Sequence, residues 1–247
     1  MSGFGENIFV TGSNRGIGLA IVENLLKNQE VKRIFAACRD PSSAQDLRKL
    51  WTQHDEKVYI IQLDVQDDTS INLAYEQIVR VLDGEPLNVL INNAGIAERQ
   101  NASFLNASRE VFTLQLDVNT TSPLLITSKF MPLLSKAAEA GKRALVINIS
   151  STMGSLQHNI LSQSHIFAYG MSKAALNQFT RLASKLLENT GIIIVSFCPG
   201  SVKTDMGGET ALRPVEEAIP PLLETIANLK KEDSGRFMDR FGKDIPF

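Results

Sequence analysis

Short runs of β-branched and aromatic residues alternate with longer amphipathic segments along the whole of this chain. "IFVTG" precedes a helical pattern over 16–29, "RIFAAC" one over 42–53, "VYIIQLDV" one over 69–83 and "NVLINNAG" one over about 107–138. Then come "RALVINIS", a helix over about 167–189, "GIIIVSFCPG", a helix near 214–230 and an edge strand at "GRFMDR". Strands that are apolar at nearly every position must be covered on both faces, and connections of helix length return each strand parallel to the last. The expected fold is α/β: a doubly wound, mostly parallel sheet with helices on both faces. With 247 residues, no repeat and no low-complexity linker, residues 1–247 read as one domain.

Composition narrows the function. Twenty-five basic residues stand against 27 acidic ones, interspersed, for a formal charge of −2, so the sequence offers neither nucleic acid nor an anionic membrane an electrostatic footprint. No apolar run reaches the roughly 18 residues that a membrane span needs. The amino terminus lacks the basic patch and apolar stretch of a secretion signal, which points to the cytoplasm. Cys38 and Cys198 stand far apart without CxxC spacing, and His54, His158 and His165 share no ligand spacing, so neither a disulfide framework nor a metal site is expected. The expected ligand is a small molecule.

Ligands of doubly wound sheets bind beyond the carboxyl ends of the strands. Several strands here end in small or polar residues: Gly12 and Ser13, Arg39, Asp64, Asn92 to Gly95, Ser150 and Ser151, Pro199 and Gly200. In "NIFVTGSNRGIG" (7–18), glycines at 12, 16 and 18 let the chain turn out of the first strand and leave amides at the head of the next helix free to face a pyrophosphate. The spacing, G-x-x-x-G-x-G, differs from the common G-x-G-x-x-G, and a tight turn without a ligand is the alternative reading. Tyr169 and Lys173 are four apart on a helical pattern, so both side chains leave one face. A cation beside a phenol favours the phenolate, which predicts a Tyr169 pKa below the ordinary value of about 10. Alone, each of these signals also reads as ordinary packing or capping.

Taken in order, "TGSNRGIG", "LDV" (63–65), "NNAG" (92–95), "DVNTTS" around Asn119, "INISS" ending at Ser151, "YGMSK" (169–173) and "PGSVKT" (199–204) resemble the short-chain dehydrogenase/reductase family over nearly the whole chain. The likeness is greatest to its carbonyl-reductase-like members, sniffer and C-factor. The resemblance implies a single-domain Rossmann fold and a nicotinamide coenzyme held by Gly12, Asn14, Arg15, Gly16, Ile17 and Gly18, by Asp64 and Val65 at the adenine, and by Asn93, Ala94 and Gly95. Pro199, Gly200, Val202 and Thr204 would complete its site, together with Tyr169 and Lys173. It implies a catalytic set of Asn119, Ser151, Tyr169 and Lys173. In that set Tyr169 exchanges the proton, Lys173 also holds the nicotinamide ribose, Ser151 bonds the substrate carbonyl and Asn119 holds a water between Lys173 and solvent.

The choice of coenzyme turns on the end of the second strand. Where family members take the non-phosphorylated form, an acidic residue there accepts from the ribose hydroxyls; here Cys38 aligns with it and Arg39 follows. A guanidinium grips a 2′-phosphate through charge-assisted bonds, and Arg15 can approach the same group, so NADP(H) is expected. A one-residue shift would put Asp40 at the acidic position and reverse the argument. The alternative is that both arginines are simply solvated loop residues.

Two departures from the family pattern flank the substrate site. The 17 residues between Ser151 and Tyr169 form a longer spacer. Its Met153, Leu156, Ile160, Leu161 and Phe167 read equally well as a lid or as loop anchors, with His158 and His165 able to face substrate. After "PGSVKTDMGG" only "ETALR" precedes a proline, where family members for large steroids carry more, which suggests an open pocket for varied small carbonyls. The expected function is reduction of a small aldehyde or ketone by NADPH, with Tyr169 as general acid. Its rivals are an NADP(H)-binding signalling protein of C-factor type with little turnover, and an NAD-dependent alcohol dehydrogenase. Many family members pack the helices matching 107–138 and 167–189 into a homodimer, although Thr113, Gln115, Thr121 and Lys129 suggest a mixed outer face for the first.

Overall fold

The structure, a computed structural model, describes residues 3–158, 166–208 and 210–247. Seven strands, β1 (Asn7–Thr11), β2 (Arg33–Cys38), β3 (Val58–Gln62), β4 (Val89–Asn92), β5 (Leu145–Ile149), β6 (Ile193–Cys198) and β7 (Phe237–Asp239), form one sheet in the order β3-β2-β1-β4-β5-β6-β7. Every neighbouring pair is parallel, as the helix-length connections require. The chain winds one way from β1 to β3 and the other way from β4 to β7. That reversal opens a crevice at the carboxyl ends of β1 and β4.

Alternation along the strands builds two core layers. Ile8 and Val10 of β1 pack with Ile21 and Leu25 of α1 (Gly16–Leu26), Leu47 of α2 (Gln45–Gln53) and Ile219, Leu222 and Ile226 of α7 (Val215–Ala227). Phe9, between them, points the other way and meets the Phe130 ring at 4.7 Å between centroids. It joins a layer containing Ile71 and Ile78 of α3 (Asp68–Leu82) and Leu134 of α5 (Ser122–Glu139). The apolar strand runs are thus a consequence of cover on both faces.

The continuous helical pattern over 107–138 is divided. It comprises α4 (Arg109–Leu116), a wider π-turn over Asp117–Thr121, and α5. Of the four residues expected on its outer face, Thr113 and Thr121 are exposed, while the other two make contacts within the protein. Gln115 is wholly buried, with Nε2 donating to the Glu98 carbonyl at 3.1 Å, and Lys129 leans over the Tyr75 ring of α3 at 4.9 Å. What α5 and α6 (Phe167–Leu186) present to solvent includes Leu124, Leu125, Leu182 and Leu186. Among the described residues, no helix is long and apolar enough to cross a membrane.

A buried cation ties down the last helix. Arg143, just ahead of β5, donates Nη1 to the Leu229 carbonyl (2.7 Å), Nη2 to those of Ile226 (3.2 Å) and Ala227 (3.0 Å), and Nε to that of Gly3 (3.1 Å). The first three of these carbonyls lie where the amides of α7 run out. Burial pushes the guanidinium pKa down, against a smaller upward pull from the Asp233 charge. Arg143→Ala is expected to cost about 3 kcal/mol by leaving buried acceptors unpaired. Urea denaturation reads this directly; an unchanged midpoint would remove Arg143 from the stabilising elements.

Candidate active site

The carboxyl ends of the central strands open into a cavity of about 880 Å³. At β1 its floor is the glycine turn. Thr11 Oγ1 accepts the amides of Asn93 and Ala94, both at 3.0 Å, and Asn93 Nδ2 donates back to the carbonyls of Thr11 (2.9 Å) and Gly12 (3.1 Å). "NNAG" therefore braces the turn. A Cβ on Gly18 would lie 2.1 Å from the Gly12 carbonyl oxygen and 2.5 Å from Asn93 Nδ2, so a side chain there would force α1 off the turn. No side chain caps α1, and Gly16, Ile17 and Gly18 line the cavity, which directs the positive end of the helix at it. An uncapped helix head, a glycine turn packed this closely and a cavity of this size fit a dinucleotide bearing a pyrophosphate.

Arg39, the first residue past β2, and Arg15, Asn14, Asp64 and Val65 line the same cavity. Cys38 closes β2; it is buried, and that burial pushes its thiol up to about 11. Asp40 is turned onto its own loop, where Oδ1 accepts from the Ser42 hydroxyl (2.5 Å) and amide (2.9 Å), which hold its carboxyl below the usual range. Arg15 carries an ion pair that its sequence neighbourhood does not announce. Its Nη1 pairs with Asp205 Oδ2 of the β6–α7 connection at 2.7 Å, with both side chains about three-quarters exposed (72% and 74%).

Helix α6 brings Tyr169 and Lys173 to the other end of the cavity. Ser151 ends the β5 segment there; its Oγ accepts the Met153 amide at 3.2 Å, and the hydroxyl stands near enough to the Tyr169 phenol to pull its pKa down. Lys173 Nζ donates to the Ile149 carbonyl at 2.8 Å and lies 5.7 Å from the Tyr169 ring centre. The expected lowering of the phenol pKa is overturned. Burial pushes Tyr169 up to about 12, against a smaller downward pull from Ser151, and burial pushes Lys173 down to about 8. Loss of water from both groups outweighs their attraction at this separation.

Asn119 sits wholly buried in the π-turn. Its Oδ1 accepts the Ile96 amide (2.9 Å), while Nδ2 donates to the Ile96 carbonyl (2.8 Å) and to Ser172 Oγ (2.9 Å). Ser172 in turn donates to the Tyr169 carbonyl at 2.7 Å. Sequence reasoning missed Ser172, because a serine inside a helical pattern gives no sign of its partner. A Cβ on Gly95 would stand 3.0 Å from Asn119 Oδ1 and 3.6 Å from Lys173 Nζ, so this glycine keeps the approach between them open. Pro199, Gly200, Val202 and Thr204 line the facing wall.

Of the spacer between Ser151 and Tyr169, Ile160, Leu161 and His165 lie outside the described residues. Met153 lines the cavity, Leu156 is exposed, and Phe167 rests on Phe104 at 6.1 Å between ring centroids. His158 is exposed and turned to Ser155, whose Oγ accepts its amide at 3.1 Å. Among the described residues, no group of three or more His, Cys, Asp or Glu side chains is placed to hold a metal ion.

Residues 6–213 match the short chain dehydrogenase family, and the chain belongs to it. The NADPH-bound carbonyl reductase from chicken fatty liver is 40% identical and superposes with a TM-score of 0.94 over 98% of this chain and 99% of that one. The carbonyl reductase Sniffer of D. melanogaster, 34% identical, superposes at 0.93 over 98% of this chain and 100% of its own. C-signal of Myxococcus xanthus is 37% identical over 166 residues, 66% of this chain and 93% of its own. The likeness read from the motifs therefore extends to the fold.

Proposed function

We propose that the protein uses NADPH to reduce small aldehydes and ketones to alcohols, with Tyr169 as proton donor. The observation that carries this reading is the meeting of Ser151, Tyr169 and Lys173 at one end of a cavity whose other end is the uncapped head of α1. Similarity to two carbonyl reductases supports the substrate class, and the NADPH bound to one of them supports the coenzyme. A single coenzyme-binding domain over 1–247, working in the cytoplasm, belongs to the same reading.

The coenzyme, when bound, supplies the hydride. Gly12 and Gly16 to Gly18 would hold its pyrophosphate, Arg39 its 2′-phosphate, Asp64 and Val65 its adenine, and Pro199, Gly200, Val202 and Thr204 its nicotinamide end. Arg15 would reach the 2′-phosphate by leaving Asp205, and an ion pair this exposed breaks at little cost. Ser151 Oγ would bond the substrate oxygen and stabilise the negative charge that develops on it. Tyr169 would give that oxygen its proton, and the nearby Lys173 cation would stabilise the phenolate left behind. A phenol held near 12 stays protonated through the neutral range, the state a donor requires. Asn119 would keep the loop after β4 in register with α6.

NADPH consumption with a panel of aldehydes and ketones tests the reading. Turnover supports it; NADPH binding without turnover moves the protein to the signalling class. Lys173 loses its proton as pH rises through about 8, so the reduction rate should hold through neutrality and decline above that value. A rate climbing steadily from about pH 7 to 10 would mean that the charged lysine is not the working form.

The apolar surface of Leu124, Leu125, Leu182 and Leu186 supports a homodimer that buries it against a second copy. Light scattering should then give about twice the chain mass of 27.2 kDa. A single 27.2 kDa species at micromolar concentration would refute the dimer.

A further inference from the structure

We propose that the substrate end of the cavity accepts carbonyl compounds that carry an apolar body and, several atoms from the carbonyl, an anionic group received by Arg99. This rests on the reductase reading above and adds a substrate class to it.

Among the described residues, the lining beyond Ser151 and Tyr169 includes Leu114, Val118, Met153, Ile166 and Met206. Such a wall accommodates hydrocarbon or an aryl ring. Arg99, in the loop after β4, stands exposed at its rim. Its Nη2 donates to the Met206 carbonyl at 3.2 Å, which sets the guanidinium against the apolar wall and leaves most of its five donors for a ligand. Among the described residues, none of the ion pairs involves Arg99.

Of the neighbouring acids, Glu98 is held on its own loop, its Oε1 accepting the amides of Arg99 (2.9 Å) and Gln100 (3.0 Å), and Asp205, which Arg15 would release to a bound coenzyme, is the carboxylate that a ligand anion would have to displace at Arg99. Lys203 adds a second positive charge to the lining. A planar guanidinium with spare donors beside an apolar surface matches a carboxylate at the end of a hydrocarbon chain.

Chain length bounds the substrate. Gly95 lies beside Lys173 Nζ, and the four residues from there to Arg99 span at most about 14 Å. The anion and the carbonyl are thus separated by no more than that span plus the reach of the Arg99 side chain. An α-oxo acid, whose carboxylate is bonded to the reacting carbon, would hold its charge at the base of the cavity and away from the rim.

Two aryl ketones differing only at the end of a four-methylene chain, one a carboxylate and the other its methyl ester, provide the test. Calorimetry on the protein loaded with NADP⁺ should show the acid binding roughly three- to tenfold more tightly than the ester, the exposed rim limiting the gain. In NADPH-driven reduction the same ratio should appear in KM and leave kcat similar. Arg99→Ala should bring the acid-to-ester ratio to about one, Arg99→Glu should invert it, and Arg99→Lys should retain part of it. Equal binding of acid and ester to the unaltered protein, or an Arg99→Ala loss that falls equally on both, overturns the proposal; the second result makes Arg99 a brace for Met206 only. If neither ketone is reduced while the acid still binds more tightly, the reductase reading fails and the recognition at Arg99 stands.

Discussion

Replacing Tyr169 by phenylalanine is expected to lower kcat for carbonyl reduction by about 10²- to 10⁴-fold, with NADPH binding nearly unchanged. The substitution keeps the ring beside Lys173, whose Nζ lies 5.7 Å from its centre, and the donation from Lys173 to the Ile149 carbonyl is independent of the phenol. What it removes is the transferable proton. Steady-state rates and an NADPH titration on the same preparation separate lost chemistry from a damaged site. Retention of more than about half the activity would take the proton transfer away from Tyr169.

Arg39→Asp should reverse the choice of coenzyme. The change removes a charge-assisted contact and sets a carboxylate beside the 2′-phosphate. Hydrogen bonds to charged groups contribute about 1.5–3 kcal/mol, so NADPH should bind at least 10- to 150-fold more weakly, before repulsion is counted. NADH, which has no phosphate to lose, should bind equally well or better, because the new carboxylate can accept from the ribose hydroxyls. In the structure Asp40 lines the same cavity, with Oδ1 taken up by the Ser42 hydroxyl and amide. Dissociation constants that weaken equally for both coenzymes would indicate a distorted loop and leave the preference unexplained. A preference of the unaltered protein for NADH would give the acidic position to Asp40.

The parts of the site that were legible in the sequence are those in which local backbone geometry demands a residue type. Gly18 tolerates no side chain against the Gly12 carbonyl, and Tyr169 and Lys173 share a helix face through their spacing alone, so each leaves a mark readable within a few residues. The sheet was legible for the same reason: cover on both faces makes every strand apolar. Features set by distant partners were not. Arg15 and Asp205 are 190 residues apart, and nothing local announces their pairing. Gln115 reads as a surface residue until the Glu98 carbonyl is brought over it. The phenol pKa was misjudged because spacing reveals the neighbouring charge and conceals the burial that opposes it.

The wide turn at Asp117–Thr121 has a consequence for the helix as a whole. Its closing bond runs from the Ser122 amide to the Asp117 carbonyl, one residue farther than in an α-helix. Each residue of an α-helix advances about 100° around the axis, so the additional residue acts as a phase offset between two halves of one rod. Gln115 ahead of it and Asn119 within it bond to the loop that follows β4; behind it, Ile126, Phe130 and Leu134 point into the sheet. Without the offset the two halves would share one phase, and a rotation that seated Phe130 in the core would carry Asn119 away from Ile96.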